Sequence, residues 1–384
     1  MSIGAQTMAN GLVRERVLAG IKRVAHTQRA PEELLRETVG LLREVVPFEG
    51  YATSMIDPLS GLPAGPMVFN KEMGSREDAR FFFEYIYFED DVNEYGWMAR
   101  NGLTTARLSD GTEGRLERSL RHREFNQPRG FGYEIRAVMA KDGESWGGLC
   151  LVREEGDPDF SGKEVTFIER VLPHLTAGLR VAALRSEAGR TSGGEPIGVL
   201  VLDHRGRVVQ RAGGMDRWLE ELGMPQPCRE DGSNLPEAVW ILTGMLRRTL
   251  APRTGEDEVT IPHLHVRGRS GRWISLQASI GEDQDGAVAQ TVVVAAPSGP
   301  RELSRINVAA YGLSGREREI ANLVLRAYST RQISRALYIS ESTVQGHLSH
   351  IFEKVGVRSR RELLKRLFFS SFPPEENASP TRPP

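Results

Sequence analysis

Between Glu341 and Val355, Val344, Leu348, Ile351 and Val355 recur at steps of four, three and four, which is the spacing of one buried helical face. At 100° per residue the opposite face presents Ser342, Gln345, Gly346, Ser349 and His350, with no acid until Glu353. Hydroxyls and a carboxamide both donate and accept hydrogen bonds, and a glycine lets another surface come close. Such a face suits the reading of base edges in a DNA groove. The preceding stretch, Thr330–Tyr338, is expected to bury Ile333, Ala336 and Leu337 and to turn Arg331 and Arg335 outward. Two helices joined through Ile339 and Ser340 form a helix-turn-helix. Charge agrees with this: residues 301–369 carry 13 Lys/Arg against 6 Asp/Glu, whereas residues 1–300 carry 36 against 43. A basic terminal module on an acidic body points to a polyanionic partner for the module.

Other chemistries find less support. Asp57, Pro58 and Gly61 superficially suggest a phospho-acceptor loop, but no acidic pair ends an early strand and no matching Lys-Pro follows. Gly189–Pro196 lacks the Lys-Ser/Thr of a phosphate-binding loop, and Gly268–Gly271 lacks the spacing of a nucleophile elbow. His263 and His265 share one face of a strand, yet no second ligand cluster accompanies them, so no metal or haem is expected. Cys150 and Cys228 are too few and too far apart for a disulfide framework or a thiolate zinc site. No catalytic residue, metal or cofactor is expected, and the protein is not expected to be an enzyme. With no apolar run near the ~18 residues a membrane span needs, a cytoplasmic location is expected.

The elements that hold the reading face announce themselves through their starts. Ser314 with Glu317, Ser329 with Gln332, and Ser359 with Glu362 have capping-box spacing, and Ser340 with Thr343 is a weaker cap. Four short helices are therefore expected between Leu313 and Leu364. Further upstream, helical patterns cover Leu12–Val24 and Leu34–Val46, a strand covers Tyr51–Ile56, and a helix with an aromatic cluster runs from Ser75 to Tyr87. Tyr133–Ala140 and Ser145–Val152 flank an Asp-Gly turn, a hairpin signal. A long helix then opens near Ser161, with Val165, Ile168, Leu172, Leu175, Leu179 and Ala182 along a seam that suits either its own sheet or a second subunit. After a Gly/Ser-rich linker at Gly189–Pro196, strands at Ile197–Asp203 and Arg207–Arg211 and helices at Asp216–Leu222 and Leu235–Leu250 come before three strands: Val259–Arg267, Arg272–Ile280 and Ala287–Ala295. The order is α+β throughout, ending in an all-α module.

Several segments then carry a resemblance. Leu313–Ile320, Tyr338–Val344, His347-Leu348 and Lys354–Arg360 resemble the LuxR/NarL-type DNA-binding domain over residues 307–370. The resemblance implies a four-helix module whose third helix enters the major groove, as a dimer on paired half-sites of double-stranded DNA. Carried over by position, it implies that Gln345, Gly346 and Ser349 face bases, with Ser342 beside them on the same face. Arg331, Thr343, Lys354 and Arg360 would hold phosphates or sit beside them. Where this chain has Gln345 the family commonly has Lys, and it usually has Gly where Tyr328 stands. An altered operator preference is therefore expected.

The region 11–186 is similar to GAF-like sensor domains and 195–297 to a PAS-like domain, followed by a linker at 298–306 and a disordered tail at 373–384. Both likenesses imply a cupped antiparallel sheet able to hold a small molecule or to dimerise, and Tyr51, Trp97, Met139 and Trp146 are candidates to line a pocket. The reading is a transcriptional regulator, a homodimer modulated by a small-molecule signal and compatible with contact to RNA polymerase. The alternative is a ligand-processing or scaffold protein tethered to DNA by the basic module.

Overall fold

The computed structural model describes residues 3–27, 30–184, 196–224, 228–250, 262–282 and 288–368. Residues 189–195 of the expected linker, residues 259–261 and 287 of the expected strands, and the 373–384 tail lie outside them. The chain divides into two compact units, one of residues 1–182 with 196–297 and the other of residues 183–195 with 298–384. No described helix is long and apolar enough to cross a membrane.

In the first unit, helices α1 (Ile3–His26), α2 (Pro31–Leu42), α3 (Arg76–Phe81), α4 (Tyr95–Arg100), α5 (Leu108–Gly111) and α6 (Gly162–Leu184) accompany five strands. These are β1 (Gly50–Met55), β2 (Val68–Phe69), β3 (Thr105–Arg107), β4 (Phe131–Lys141) and β5 (Glu144–Glu154), ordered β2-β1-β5-β4-β3 and antiparallel throughout. The β4–β5 turn places Asp142 at φ 54° and Gly143 at φ 82°, the left-handed pair that matches strand twist in a two-residue hairpin. The seam of α6 is used within the chain: Ile168, Leu172, Leu175, Leu179 and Ala182 are buried. A Cβ on Gly147 of β5 would stand 2.6 Å from Leu179, and one on Gly178 2.9 Å from the Ala25 carbonyl, so α6 lies hard against both β5 and α1.

The expected helix over Ser75–Tyr87 is regular only from Arg76 to Phe81 and then widens, the Tyr87 amide bonding the Phe82 carbonyl at 2.8 Å. The wider turn redirects the aromatic cluster. Phe83 joins a core made with Trp218, Trp240, Leu242 and Ile274, beneath the second sheet.

That sheet comprises β6 (Gly198–Asp203), β7 (Val208–Gly213), β8 (His263–Arg267), β9 (Trp273–Glu282) and β10 (Val288–Pro297), with α7 (Met215–Glu221) and α8 (Glu237–Leu250). Its order is β7-β6-β10-β9-β8. Counted within each sheet, both run second, first, fifth, fourth, third. The two sheets are tied by the Arg267 amide on the Ala64 carbonyl at 2.7 Å, and by Arg76, which bonds the Leu235 carbonyl at 2.8 Å and pairs with Glu237 at 3.4 Å.

The second unit holds α9 (Pro300–Ala310), α10 (Gly315–Leu325), α11 (Thr330–Leu337), α12 (Glu341–Val355) and α13 (Arg360–Phe368). The 298–306 segment, expected as a linker, is corrected: it forms most of α9. Its Pro-Gly punctuation marks a helix start rather than a break. Pro300 occupies the first turn, where its missing N–H costs nothing, and the Gly299 amide donates to the Glu302 carboxylate at 2.7 Å. Leu313, Ile320, Val324, Ile333, Val344, Leu348, Ile351, Val355, Leu363 and Leu367 make the core of this unit.

Candidate DNA-binding surface

The cap signals become hydrogen bonds. At Ser314, Ser329 and Ser340 the hydroxyl accepts from the amide three residues on, at 3.3, 3.3 and 3.1 Å. Glu317 and Gln332 reach back to the cap amides at 2.7 and 2.8 Å. At Ser359 the box is only half built: its hydroxyl caps Glu362 at 3.1 Å, but the Glu362 carboxylate accepts from the Arg358 amide.

The turn between α11 and α12 is fixed by one left-handed residue and two side-chain hydrogen bonds. Tyr338 ends α11 in the left-handed region at φ 54° and is 96% exposed. Ser334 donates to the Ile339 carbonyl at 2.5 Å, and Arg316 donates to the Leu337 carbonyl at 2.7 Å. Ile333 is buried and Leu337 half-buried as expected from spacing, but Ala336 is exposed.

Against this frame the faces of α12 separate cleanly. Val344, Leu348, Ile351 and Val355 are buried, while Ser342, Thr343, Gln345, Gly346, Ser349 and His350 are exposed and His347 is half-buried. The exposed hydroxyls are partly committed: Ser342 and Thr343 both bond the Ser340 hydroxyl, at 2.7 and 2.8 Å, and Ser349 donates to the Gln345 carbonyl at 3.1 Å. Gln345 donates one amide hydrogen to the Thr330 hydroxyl at 3.3 Å. Its second N–H and its carbonyl oxygen remain for a partner, the pair of groups that matches adenine. A Cβ on Gly346 would meet nothing within 4 Å. No packing inside the unit calls for this glycine.

The expected phosphate contacts fall into two groups. Arg331 is exposed and, among the described residues, makes no hydrogen bond or ion pair; Arg335 is the same. Thr343 stands at the exposed N-terminal turn of α12. Lys354 and Arg360, expected to hold phosphates or sit beside them, each also brace the fold. The Lys354 ammonium lies 2.6 Å from the buried Glu317 carboxylate, tying α12 to the cap of α10. Burial alone would raise the Glu317 carboxyl, but Lys354 and the Ser314 amide outweigh it and hold it below its ordinary value. Arg360 donates to the Tyr328 carbonyl, tying the start of α13 to the turn before α11. In that turn the left-handed residue is Ala327 at φ 63°, so the place where a glycine would relieve strain is 327 and not the expected 328.

In the first unit a cavity lies against the face of β1, β5 and β4 that carries Ala52, Cys150, Glu134 and Arg136. None of Tyr51, Trp97, Met139 and Trp146 lines it. Met139 points to the other face, where it meets Gly147 beside α6; Trp146 is fully buried; Trp97 is 46% exposed on α4. Residue type had suggested these positions, but strand alternation sends the odd-numbered side chains of β4 away from the cavity. The wall residues that sequence reading missed include Phe82, Phe83, Tyr87 and Phe125, the first three within the aromatic cluster already visible as a run.

Residues 312–367 match the model of the family described as bacterial regulatory proteins, luxR family. The oxygen regulatory protein NreC of Staphylococcus aureus (strain JH9) is 40% identical over 53 residues, 14% of this chain and 24% of the relative. The chain thus spans about a quarter of the length of the curated relatives it matches. Among solved structures, the VqmA–ligand–DNA complex of Vibrio cholera is 17% identical with a TM-score of 0.25, covering 47% of this chain and 87% of that one. SdiA in complex with octanoyl-rac-glycerol is 10% identical with a TM-score of 0.33, covering 92% of each chain.

Proposed function

From a chain whose C-terminal segment is a LuxR-family DNA-binding domain, we propose a sequence-specific, double-stranded-DNA-binding transcriptional regulator. It acts as a cytoplasmic homodimer, and a small-molecule signal received in the first unit modulates it. The observation that carries this reading is the exposed face of α12. It offers an uncommitted carboxamide edge on Gln345 beside a glycine that nothing inside the unit requires, flanked by the unpaired Arg331 and Arg335. The strand order common to both sheets supports reading them as GAF-like and PAS-like sensor folds. The RNA polymerase contact belongs to the same reading.

The test is binding selection on randomised duplexes with the intact protein and with Gln345→Ala. Wild type should enrich a two-half-site motif, and Gln345→Ala should lose preference at one base position per half-site, each good contact being worth ~1–3 kcal/mol. Enrichment of no motif would move the assignment to a DNA-tethered scaffold. A motif unchanged in the variant would remove Gln345 from base reading.

A further inference from the structure

The cavity of the first unit has walls that specify what it can hold. Phe69, Phe82, Tyr87, Tyr95 and Phe125 line it together with Met67 and Met73. Phe82 packs 4.9 Å from Phe125 and 5.9 Å from Tyr87, centroid to centroid. A slot walled by ring faces, ring edges and thioethers favours a flat aromatic guest.

Its polar end is already neutral. Arg121 donates to Glu134 at 2.9 Å and to Asp91 at 3.2 Å, and Asn126 donates to Glu134 at 2.8 Å. Arg136 lies 3.1 Å from Glu134. Two guanidiniums thus face two carboxylates, and a charged guest would find no counter-charge left to offset its desolvation.

What remains is an excess of donors. Arg136 Nε has no hydrogen-bond partner despite its nearness to Glu134. Among the described residues the Tyr87 and Tyr95 hydroxyls donate to no protein acceptor. Burial pushes Tyr87 up to about 12 and Tyr95 well above its usual value, so both stay protonated. The guest must accept hydrogen bonds.

The roof of the cavity belongs to two cores at once. Ala79, Phe82, Phe83 and Tyr87 line the cavity, and the same residues pack with Trp240 and Leu242 beneath the second sheet. A Cβ on Gly244 of α8 would stand 2.4 Å from the Phe83 carbonyl, so α8 presses on the roof without slack.

We propose that this cavity binds a neutral, flat aromatic molecule carrying a hydrogen-bond acceptor such as a carbonyl or ring nitrogen. Its occupancy is passed to α8 and the second sheet through residues 79–87. The inference deepens the signal-sensing part of the function proposed above and stands or falls without DNA. The test is titration of the intact protein with acetophenone, followed by calorimetry and thermal melting. Benzoate, ethylbenzene and 2-octanone are run beside it to vary charge, acceptor and shape one at a time.

Acetophenone should saturate and raise the melting temperature, and each comparison compound should bind several-fold more weakly. Tyr87→Phe or Tyr95→Phe should weaken acetophenone about fivefold, the scale of one neutral hydrogen bond, and leave ethylbenzene unchanged. Ala52→Ile, which fills the cavity, should abolish binding; if it fails to fold, Ala79→Leu fills the opposite wall. Hydrogen exchange should slow in 76–88 and 237–246 together. No saturable binding, or binding that survives cavity filling, overturns the site. Tighter benzoate, ethylbenzene or 2-octanone overturns the ligand class, and protection confined to 76–88 overturns the transmission. Binding that leaves operator affinity unchanged in the same preparation would sink the signal-sensing reading while the site stands.

Discussion

Gly346 lies in mid-helix, where a glycine costs roughly 0.5–1 kcal/mol relative to alanine. A methyl group there would touch nothing within 4 Å. Gly346→Ala should therefore raise the stability of the second unit by about that amount in urea unfolding while weakening operator binding. A variant that is more stable and binds equally well would show that no partner approaches this backbone. Ala327 is the opposite case: it holds φ 63°, a conformation that costs an L-residue about 1 kcal/mol. Ala327→Gly should recover most of that cost with operator affinity unchanged. Arg331, exposed and unpaired, is the residue whose loss should act through salt. Arg331→Ala should weaken all duplexes alike and reduce the salt slope by about one, because one phosphate contact releases about one counterion.

At the scale of elements, buried charge braces hold the strands and helices in place. Glu134 of β4 receives Arg121 and Asn126 from the segment before it, and its side chain is 1% exposed. Burial alone would raise this carboxyl, but Arg121 and Arg136 outweigh it and hold it at about 2. A depressed carboxyl stabilises the fold fully above its unfolded value of about 4.3 and loses that contribution as pH falls toward the folded value. Glu134→Gln should accordingly cost ~3–5 kcal/mol at neutral pH, since it leaves buried guanidinium charge uncompensated. The gap to wild type should be flat above pH ~5 and narrow progressively below ~4.3 in denaturant melts recorded against pH. A gap independent of pH down to that range would mean that the pair contributes packing and not charge. The Lys354–Glu317 brace is more open to solvent on its lysine side, so Lys354→Met should cost only about 1 kcal/mol.

At the scale of the molecule, residues 76–88 make one folding unit of two sheets. Phe83 is 1% exposed in the core beneath the second sheet while lining the cavity of the first. Phe83→Ala should destabilise both sheets together by ~3–5 kcal/mol, lowering a single calorimetric transition for residues 1–297. Two separate transitions, only one of them shifted, would show that the sheets fold independently.

The sequence by itself determined the second unit nearly whole. Its helices are short, their starts are local hydroxyl–amide bonds, and a buried stripe at steps of three and four fixes which side chains face out. Each of these is set within a few residues along the chain, so Ser342, Gln345, Gly346 and Ser349 could be placed on the exposed face from spacing alone. The longer strands of both sheets were legible from β-prone runs bounded by turns, whereas the short edge strands β2 and β3 were not, being two and three residues long and made only by pairing with β1 and β4. Only tertiary structure decided what depends on partners far away in sequence. It paired the Lys354 ammonium with a carboxylate, because Glu317, 37 residues earlier, arrives beside it. It turned an aromatic run into a shared wall, because the widened turn at Phe82–Ile86 rotates Phe83 onto α8. It also kept Met139 off the cavity, because Met139 stands on the sheet face that α6 covers, while Trp97 on α4 lines a separate cleft with Asp90, Asn93 and Gly111.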